Sequence, residues 1–190
     1  MKKIKTGLYI LGGIALFVLI VVLWFVGTYN SLVRLDEAAN AQWANVESSY
    51  QRRFDLIPNL VGTVKGAADF EKGTYIAVTE ARTKWLNAQS INEKIVAAGE
   101  VQSALARLLV TVENYPQLKA TQNFADLQAQ LEGTENRINV ERNRYNDAVK
   151  QYNQKIRFFP ANIVAGMLGF EKKTLFESDT GAEEAPKVSF

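Results

Sequence analysis

The N-terminal part of the chain combines a basic end with a long uncharged stretch. Three lysines stand among the first five residues, and no charged residue occurs from position 6 to position 33. As a helix, the apolar centre of this stretch, residues 8–26, would measure about 28 Å, close to the ~30 Å hydrocarbon layer of a bilayer. Residues 1–28 therefore predict a cytoplasmic stub followed by a transmembrane anchor.

A cleaved signal peptide is the alternative explanation of the same stretch. Such peptides have an apolar region of roughly 7–15 residues and small residues just before the cleavage position. Here the apolar region is longer, and Phe25 and Gly27 are a poor pair for cleavage, so an uncleaved span is favoured. Because the lysines precede the span, the positive-inside rule predicts a single-pass protein with a cytoplasmic N-terminus and an exported C-terminal domain.

Beyond the span the apolar residues follow a helical period. Spacings of three and four continue from the span with no Gly or Pro between Gly27 and Pro58, which predicts one helix rising out of the bilayer. Pro58 lacks a backbone donor and predicts a kink or a stop in that helix. The apolar positions are Leu32, Leu35, Ala39, Trp43, Val46, Tyr50, Phe54 and Ile57.

Three more helices are predicted after the first. A short turn at Gly66 and residues 69–73 separates the first helix from the second. Ser90 followed by Glu93 is a capping box, which predicts the start of the third helix. The third helix is expected to end before Pro116.

The fourth helix is predicted from about residue 121 to residue 156. No segment alternates apolar and polar residues with a period of two, so no sheet is expected. The predicted fold class is all-α: an N-terminal transmembrane helix followed by a long-helix, up-and-down four-helix bundle with a kinked first helix, over residues 29–157.

A second uncharged stretch, residues 158–170, follows the fourth helix. Thirteen residues are too few to span a bilayer, but the fourth helix of an up-and-down bundle would return them to the membrane. They either pack against the foot of the bundle or form an interfacial segment in contact with lipid or a membrane partner, followed by Lys172 and Lys173. Residues 158–176 are therefore expected near the membrane, and residues 177–190 are expected to be disordered. The candidate interface residues are Phe158, Phe159, Ile163, Val164, Met167, Leu168 and Phe170.

Composition excludes most enzyme chemistry. The chain contains no His and no Cys, so it has no imidazole base or ligand, no thiolate and no Ser-His or Cys-His pair. Its 22 basic residues nearly balance 20 acidic ones, which argues against a nucleic-acid surface. We therefore expect no catalytic residues, no cofactor, no metal and no nucleic-acid partner.

The densest polar cluster surrounds Pro58. Its arginines could satisfy carbonyls freed by the proline or pair with nearby carboxylates, which would make the cluster structural. The alternative is a binding site for a carboxylate or a phosphate. The members are Arg52, Arg53, Asp55, Pro58, Glu71, Glu80 and Arg82.

Five asparagines recur on the fourth helix at spacings of three, four, three and seven, which places them on one face. This face is solvated, or it forms an interhelical amide ladder, or it lines a polar groove for a peptide partner. Glu132 and Glu135 on the same helix are expected to be surface partners of Arg137 and Arg142. The asparagines are Asn136, Asn139, Asn143, Asn146 and Asn153.

Several strings point to a known family. The most specific is Gln-Arg-Arg-Phe-Asp-Leu-Ile-Pro-Asn-Leu-Val at residues 51–61, and Tyr-Asn occurs at both 145–146 and 152–153. With these strings the chain resembles the LemA family of bacterial membrane proteins over roughly residues 8–177. The resemblance implies a long-helix bundle with a kinked first helix behind an N-terminal membrane segment, and no established activity. Some relatives carry a Cys where this chain has Gly27-Thr28, so here the span itself must be the anchor.

We therefore expect a non-enzymatic protein of the bacterial inner membrane whose exported bundle is an interaction or scaffold module at the cell envelope. The alternative is a membrane-active protein that binds or organises lipid through Phe158–Phe170, and a carboxylate-dependent hydrolase is the third hypothesis. The expected partners are the lipid bilayer and unidentified envelope proteins, with a homo-oligomer left open.

Overall fold

A computed structural model describes residues 2–66 and 71–176, with the side chains of residues 9–66 and 71–176. All regular structure in these residues is helical, which confirms the all-α class for the described part of the chain. The predicted turn at 69–73 lies partly outside the described residues, and the predicted disordered tail lies wholly outside them. The helices are α1 (Lys2–Lys65), α2 (Lys72–Asn87), α3 (Ile91–Val112), α4 (Pro116–Lys119), α5 (Gln122–Arg157) and α6 (Ala161–Leu168).

Helix α1 is a single helix of 64 residues with Pro58 inside it. The helix continues to Lys65, so a stop at the proline, one of the two expected outcomes, is wrong. Ile57, Leu60 and Val64 are buried on either side of the exposed proline. Their burial stabilises the helical course by several kcal/mol at ~1.5–3 kcal/mol per side chain, enough to offset the ~3 kcal/mol that an interior proline costs.

Two of the described helices are long and apolar enough to cross a membrane, namely α1 near the N-terminus and α3. They differ in burial. The apolar side chains of α1 from Tyr9 to Leu23 are exposed, whereas Val101, Leu105 and Leu108 of α3 are buried. Length and composition therefore suit both helices, but only α1 presents an apolar surface on all sides, as a lipid-facing span would.

The ends of the shorter helices follow local sequence signals. The Ser90 hydroxyl accepts a hydrogen bond from the Glu93 amide at 3.2 Å, and the Glu93 carboxylate accepts one from the Ser90 amide at 3.3 Å. The predicted capping box is thereby confirmed. Gly169 ends α6 at a φ of +75°, a left-handed conformation that glycine adopts without a Cβ penalty. Neither α4 nor α6 was predicted as a helix.

The described chain divides into two compact units, and both α1 and α5 contribute to each. The first contains residues 2–41 and 147–173. In its core, Leu32 of α1 packs with Val164 and Ala165 of α6. Phe25, Ile156 and Phe170 are partly buried against this group.

The second unit contains residues 42–66, 71–146 and 174–176. An aromatic cluster lies in its core, with ring centroids 4.8 Å apart for Phe54 and Trp85 and 5.8 Å apart for Tyr50 and Trp85. Along the whole of α1, every position of the predicted apolar stripe except Leu35 is buried. The three-four spacing of the sequence therefore identified the core-facing side of this helix correctly.

Candidate functional site

Helix α6 gives the apolar segment after α5 two different faces. Ala161, Val164 and Ala165 are buried, so the inner face packs on protein, as one of the two sequence interpretations expected. The other face, which we call the outer face of α6, is exposed, to 80% for Phe159 and 71% for Met167. It consists of Phe158, Phe159, Ile163, Met167 and Leu168.

Two of the seven candidate interface residues do not belong to the outer face. Val164 is buried beside Leu32. Phe170 is partly buried, and its ring meets the ring of Tyr29 edge-on at 6.2 Å. Because a helix of eight residues makes little more than two turns, packing three of its positions on protein leaves the remaining apolar positions facing outward.

Arg53 is the member of the predicted polar cluster that lies inside the protein. Its side chain is 8% exposed, and it forms an ion pair with Glu135 of α5, which is 24% exposed. Its guanidinium also donates to Gln102 Oε1 at 2.9 Å, and Gln102 Nε2 donates to Glu135 Oε1 at 3.2 Å. Arg53, Gln102 and Glu135 thus form a closed triad that joins α1, α3 and α5.

The other members of that cluster are dispersed. Arg52, Asp55, Glu71 and Glu80 are exposed, and Asp55 accepts a hydrogen bond from Gln51 at 2.9 Å. Arg82 is half-buried, and its Nε has no hydrogen-bond partner among the described residues. Arg53 therefore takes its carboxylate from α5 rather than from the nearby carboxylates that the sequence suggested.

Glu135 also differs from its expected role as a surface partner of Arg137 or Arg142, because its carboxylate is engaged in the Arg53 triad. The sequence offered no signal for this pairing, since the two residues are far apart in the chain and the apolar period does not rank one carboxylate of α5 above another.

In the first unit, Tyr152 and Asn153 of α5 hold the non-helical segment that follows α6, and we call this pair the Asn153 clamp. The Asn153 amide donates to the Lys173 carbonyl at 2.8 Å and accepts from the Lys173 amide at 2.9 Å. The Tyr152 hydroxyl donates to the Glu171 carbonyl at 2.9 Å. The clamp therefore binds main-chain groups of the segment.

The side chain of Lys173 is bound as well. Its ammonium lies 3.0 Å from Asp36 Oδ1 and donates to Asn40 Oδ1 at 2.9 Å. It also lies 5.4 Å from the ring centroid of Tyr152, within the range of a cation–π contact. A carboxylate, an amide oxygen and an aromatic face thus surround one ammonium group.

In the second unit, Tyr145 and Asn146 repeat the arrangement one heptad earlier, and we call this pair the Asn146 clamp. The Asn146 amide donates to the Phe176 carbonyl and accepts from the Phe176 amide, both at 2.9 Å. The Tyr145 hydroxyl donates to the Thr174 carbonyl at 3.0 Å. The same two residue types therefore bind main chain in the same way at both places.

The ring of Phe176 fills an aromatic site beside the Asn146 clamp. It stacks on Trp43 with a centroid distance of 5.9 Å and meets Tyr145 edge-on at 5.8 Å. The guanidinium carbon of Arg142 lies 4.7 Å from the centroid of the Phe176 ring. Phe176 is buried, so the site closes around the whole ring.

Both clamp tyrosines are protonated donors at neutral pH. Burial raises the pKa of Tyr145 to about 12. Burial first, and then the negative charges of Asp36 and Glu171, raise the pKa of Tyr152. A deprotonated phenol could not donate to a carbonyl, so the raised pKa values extend the range in which both hydrogen bonds form from neutral into alkaline pH.

The predicted asparagine stripe therefore splits. Asn136, Asn139 and Asn143 are exposed, while Asn146 and Asn153 bind the chain's own C-terminal segment. Sequence analysis expected a solvated face, an amide ladder or a groove for a peptide partner, and it missed the two tyrosines. The repeated Tyr-Asn dipeptide, seven residues apart, was the available signal.

The second unit also carries an open groove of about 1030 Å³, bordered by α2, α3 and residues 174–176. Small residues such as Gly99 and Ser103 line it together with Lys84 and Glu100, which pair with each other. Across the part of the chain that the structure describes, no group of three or more acidic residues is placed to hold a metal ion.

Comparison with known proteins gives one family and several relatives. The LemA family profile matches residues 42–190. Magnetosome protein MamQ 2 of Paramagnetospirillum magneticum is 28% identical over 78% of this chain and 64% of its own length. Magnetosome protein MamQ of Magnetospirillum gryphiswaldense is 25% identical over the same two shares. Protein LemA of Metamycoplasma hominis is 25% identical over 93% of this chain and 83% of its own length.

The chain spans 64% of the length of the MamQ relatives. None of these three names is that of an enzyme.

Proposed function

This chain belongs to the LemA family, and from that premise we propose that it is a non-enzymatic, single-pass membrane protein with an exported four-helix bundle. In this proposal the bundle is an interaction or scaffold module at the cell envelope. The observation that carries it is α1, one helix from the apolar stretch to Lys65. In this proposal the element that enters the bilayer also supplies the first stripe of the core.

The chemistry of the chain supports a binding role over catalysis. Without His or Cys, the chain lacks the usual general bases and nucleophiles. The Arg53 guanidinium is engaged by Gln102 and Glu135 of the same protein, as expected of a structural ion pair. Two of the relatives are named magnetosome proteins, and neither name is that of a reaction, which favours a non-catalytic role for this chain.

The groove on the second unit is the surface we propose for a protein partner. Gly99 and Ser103 allow another backbone to approach α3 closely, and the Lys84–Glu100 pair at its edge is exposed. Val96, which also lines the groove, is exposed. An exposed apolar side chain beside small residues offers a partner apolar surface to cover.

Site-specific photocrosslinking in growing cells tests this surface. A photoreactive residue at Val96 of the full chain is expected to give a discrete crosslinked species. The matched control is the same residue at Asn139, which is exposed on α5 and does not line the groove. Identical crosslinks from both positions would contradict a partner site at the groove.

A C-terminal tag that external protease cannot reach in spheroplasts would contradict the proposed orientation.

Lipid binding by α6 is the second candidate, and the outer face of α6 is the observation that favours it. Five large apolar side chains lie exposed on and next to a helix of only eight residues. In the same unit, that helix packs on Leu32, just beyond the apolar stretch of α1. Each side chain fully transferred from water would contribute roughly 1.5–3 kcal/mol, so five of them would bind an interface firmly even if partly buried.

Fluorescence quenching in nanodiscs tests this second candidate. The chain has no cysteine of its own, so an environment-sensitive dye can be attached at Met167→Cys without background. Lipids carrying a spin-label quencher should quench this dye. Val110→Cys on α3 is the matched control, since Val110 is 69% exposed and Met167 71%. Equal quenching at both positions would exclude a specific lipid contact of α6.

A further inference from the structure

The two clamps recognise peptide main chain. In each, one asparagine amide bonds both the N–H and the C=O of a single residue, Lys173 in one case and Phe176 in the other. Those two groups point to the same side only in extended backbone, where a neighbouring strand would satisfy them in the same way. Here an asparagine side chain takes the place of that neighbouring strand. It binds the segment as the edge of a sheet binds an extended peptide.

Side-chain contacts add selectivity to this main-chain binding. The first unit surrounds the Lys173 ammonium with Asp36, Asn40 and the Tyr152 ring. In the second unit, Trp43 and Tyr145 enclose the Phe176 ring. The contacts in the first unit fit an extended segment with a lysine, and those in the second unit fit one with an aromatic residue.

We propose that the Asn153 and Asn146 clamps are peptide receptors that also take residues 171–176 of a second copy of this chain, so that two copies pair by exchanging this segment. The proposal deepens the proposed interaction function by naming a partner, and it rests on that function only for the shared membrane anchor. In the structure the clamps bind the segment of their own chain. Exchange replaces that segment with the identical segment of the second copy.

The contacts favour a second copy as the partner. Its segment offers the same main-chain groups, the same ammonium and the same ring, so no contact is lost on exchange, which is the general basis of domain swapping. Anchoring in one bilayer raises the local concentration of copies. Gly169 precedes the segment in a left-handed conformation, a position where the chain can change direction without a Cβ clash.

Complementation between two full-length variants tests the exchange. One variant, Asn146→Ala/Asn153→Ala, has defective clamps and an intact segment. The other, Lys173→Ala/Phe176→Ala, has intact clamps and a defective segment. Each variant closes on itself and pairs with its own kind more weakly than the unchanged chain, whereas the first can donate an intact segment to the intact clamps of the second.

The measurement is energy transfer between dyes attached at Val110→Cys, with the proteins in detergent micelles. Mixing the two variants should give association at least about tenfold stronger than either variant alone. Association of the mixture no stronger than that of the separate variants overturns the proposal. Because no envelope partner is present, that failure would leave the proposed scaffold function standing.

A matched control uses Asn139→Ala/Asn143→Ala, two exposed amides on the same helix. This variant keeps both clamps, so its own segment competes for them, and it should pair with the segment-defective variant more weakly than the clamp-defective variant does. Pairing as strong as that of the clamp-defective variant would place the contact elsewhere and overturn the proposal.

A charge reversal gives an independent test should a double variant lose its helical circular dichroism. Asp36→Lys alone repels Lys173, and Lys173→Asp alone is repelled by Asp36. A mixture of the two variants restores an ion pair only between copies. Association in the mixture and in neither single variant supports exchange, and its absence in all three samples refutes it.

Discussion

The Arg53 triad predicts that the two partners of one ion pair contribute very unequally to stability. The Arg53 side chain is 8% exposed and that of Glu135 is 24% exposed. Arg53→Met therefore leaves a carboxylate that can regain water, whereas Glu135→Gln leaves a guanidinium that cannot. A buried charge without its partner is far more costly than a half-hydrated one.

The expected magnitudes follow from that difference. Arg53→Met should lower the free energy of unfolding by about 1.5 kcal/mol, the lower end for hydrogen bonds to a charged group. Glu135→Gln should lower it by about 3 kcal/mol, the lower end for an unpaired buried charge, because the bond between Arg53 and Gln102 remains. The double variant should lose less than the sum of the two, since it leaves no charge unpaired.

Urea unfolding of the four proteins in a mild detergent, followed by circular dichroism at 222 nm, measures these differences. Lys84→Met and Glu100→Gln provide the control, because that ion pair is exposed, with side chains 61% and 41% accessible. Each control variant should change stability by less than about 0.5 kcal/mol. Equal losses for Arg53→Met and Glu135→Gln, or losses that add in the double variant, would refute the reasoning.

Three further predictions concern single positions. Because the Tyr145 pKa is raised to about 12 while an unfolded tyrosine titrates near 10, the stability it contributes is complete below pH 10 and is lost between pH 10 and 12. Tyr145→Phe should be less stable than the unchanged protein at neutral pH, through loss of the bond to Thr174, and should lose less stability than that protein between pH 10 and 12. Equal pH dependence of the unfolding free energy of the two proteins over this range, measured by urea titration, would contradict this. Ser90→Ala removes the cap of α3 and should lower unfolding free energy by about 1 kcal/mol, whereas an unchanged urea midpoint would show that the cap is dispensable. Gly169→Ala places a Cβ at a φ of +75° and should lower stability by about 1–2 kcal/mol. Gly166→Ala, inside α6 and free of close contacts, should raise stability by about 0.5–1 kcal/mol. Equal thermal midpoints for these two variants would refute the left-handed conformation of Gly169.

Sequence patterns identified what depends on near neighbours along the chain. Apolar spacing of three and four marked the buried side of α1, because a helix repeats every 3.6 residues whatever it packs against. Ser90 and Glu93 are three residues apart, so their capping box needs nothing from elsewhere. The fourth predicted helix, 121–156, differs by one residue at each end from the observed helix, Gln122–Arg157.

Only the tertiary structure decided which polar groups meet. Arg53 had several candidate carboxylates, and the packing of α1 with α3 and α5 selected Glu135. Five asparagines share a period on α5, but Asn146 and Asn153 alone of these bind residues 173 and 176.

The remaining differences have the same origin. Whether α1 continues through Pro58 depends on the burial of its neighbours, and which side of α6 is exposed depends on what α1 presents to it. A local pattern encodes the direction of a side chain from its helix. The partner it meets is determined by contacts between residues distant in sequence, which single-chain periodicity does not contain.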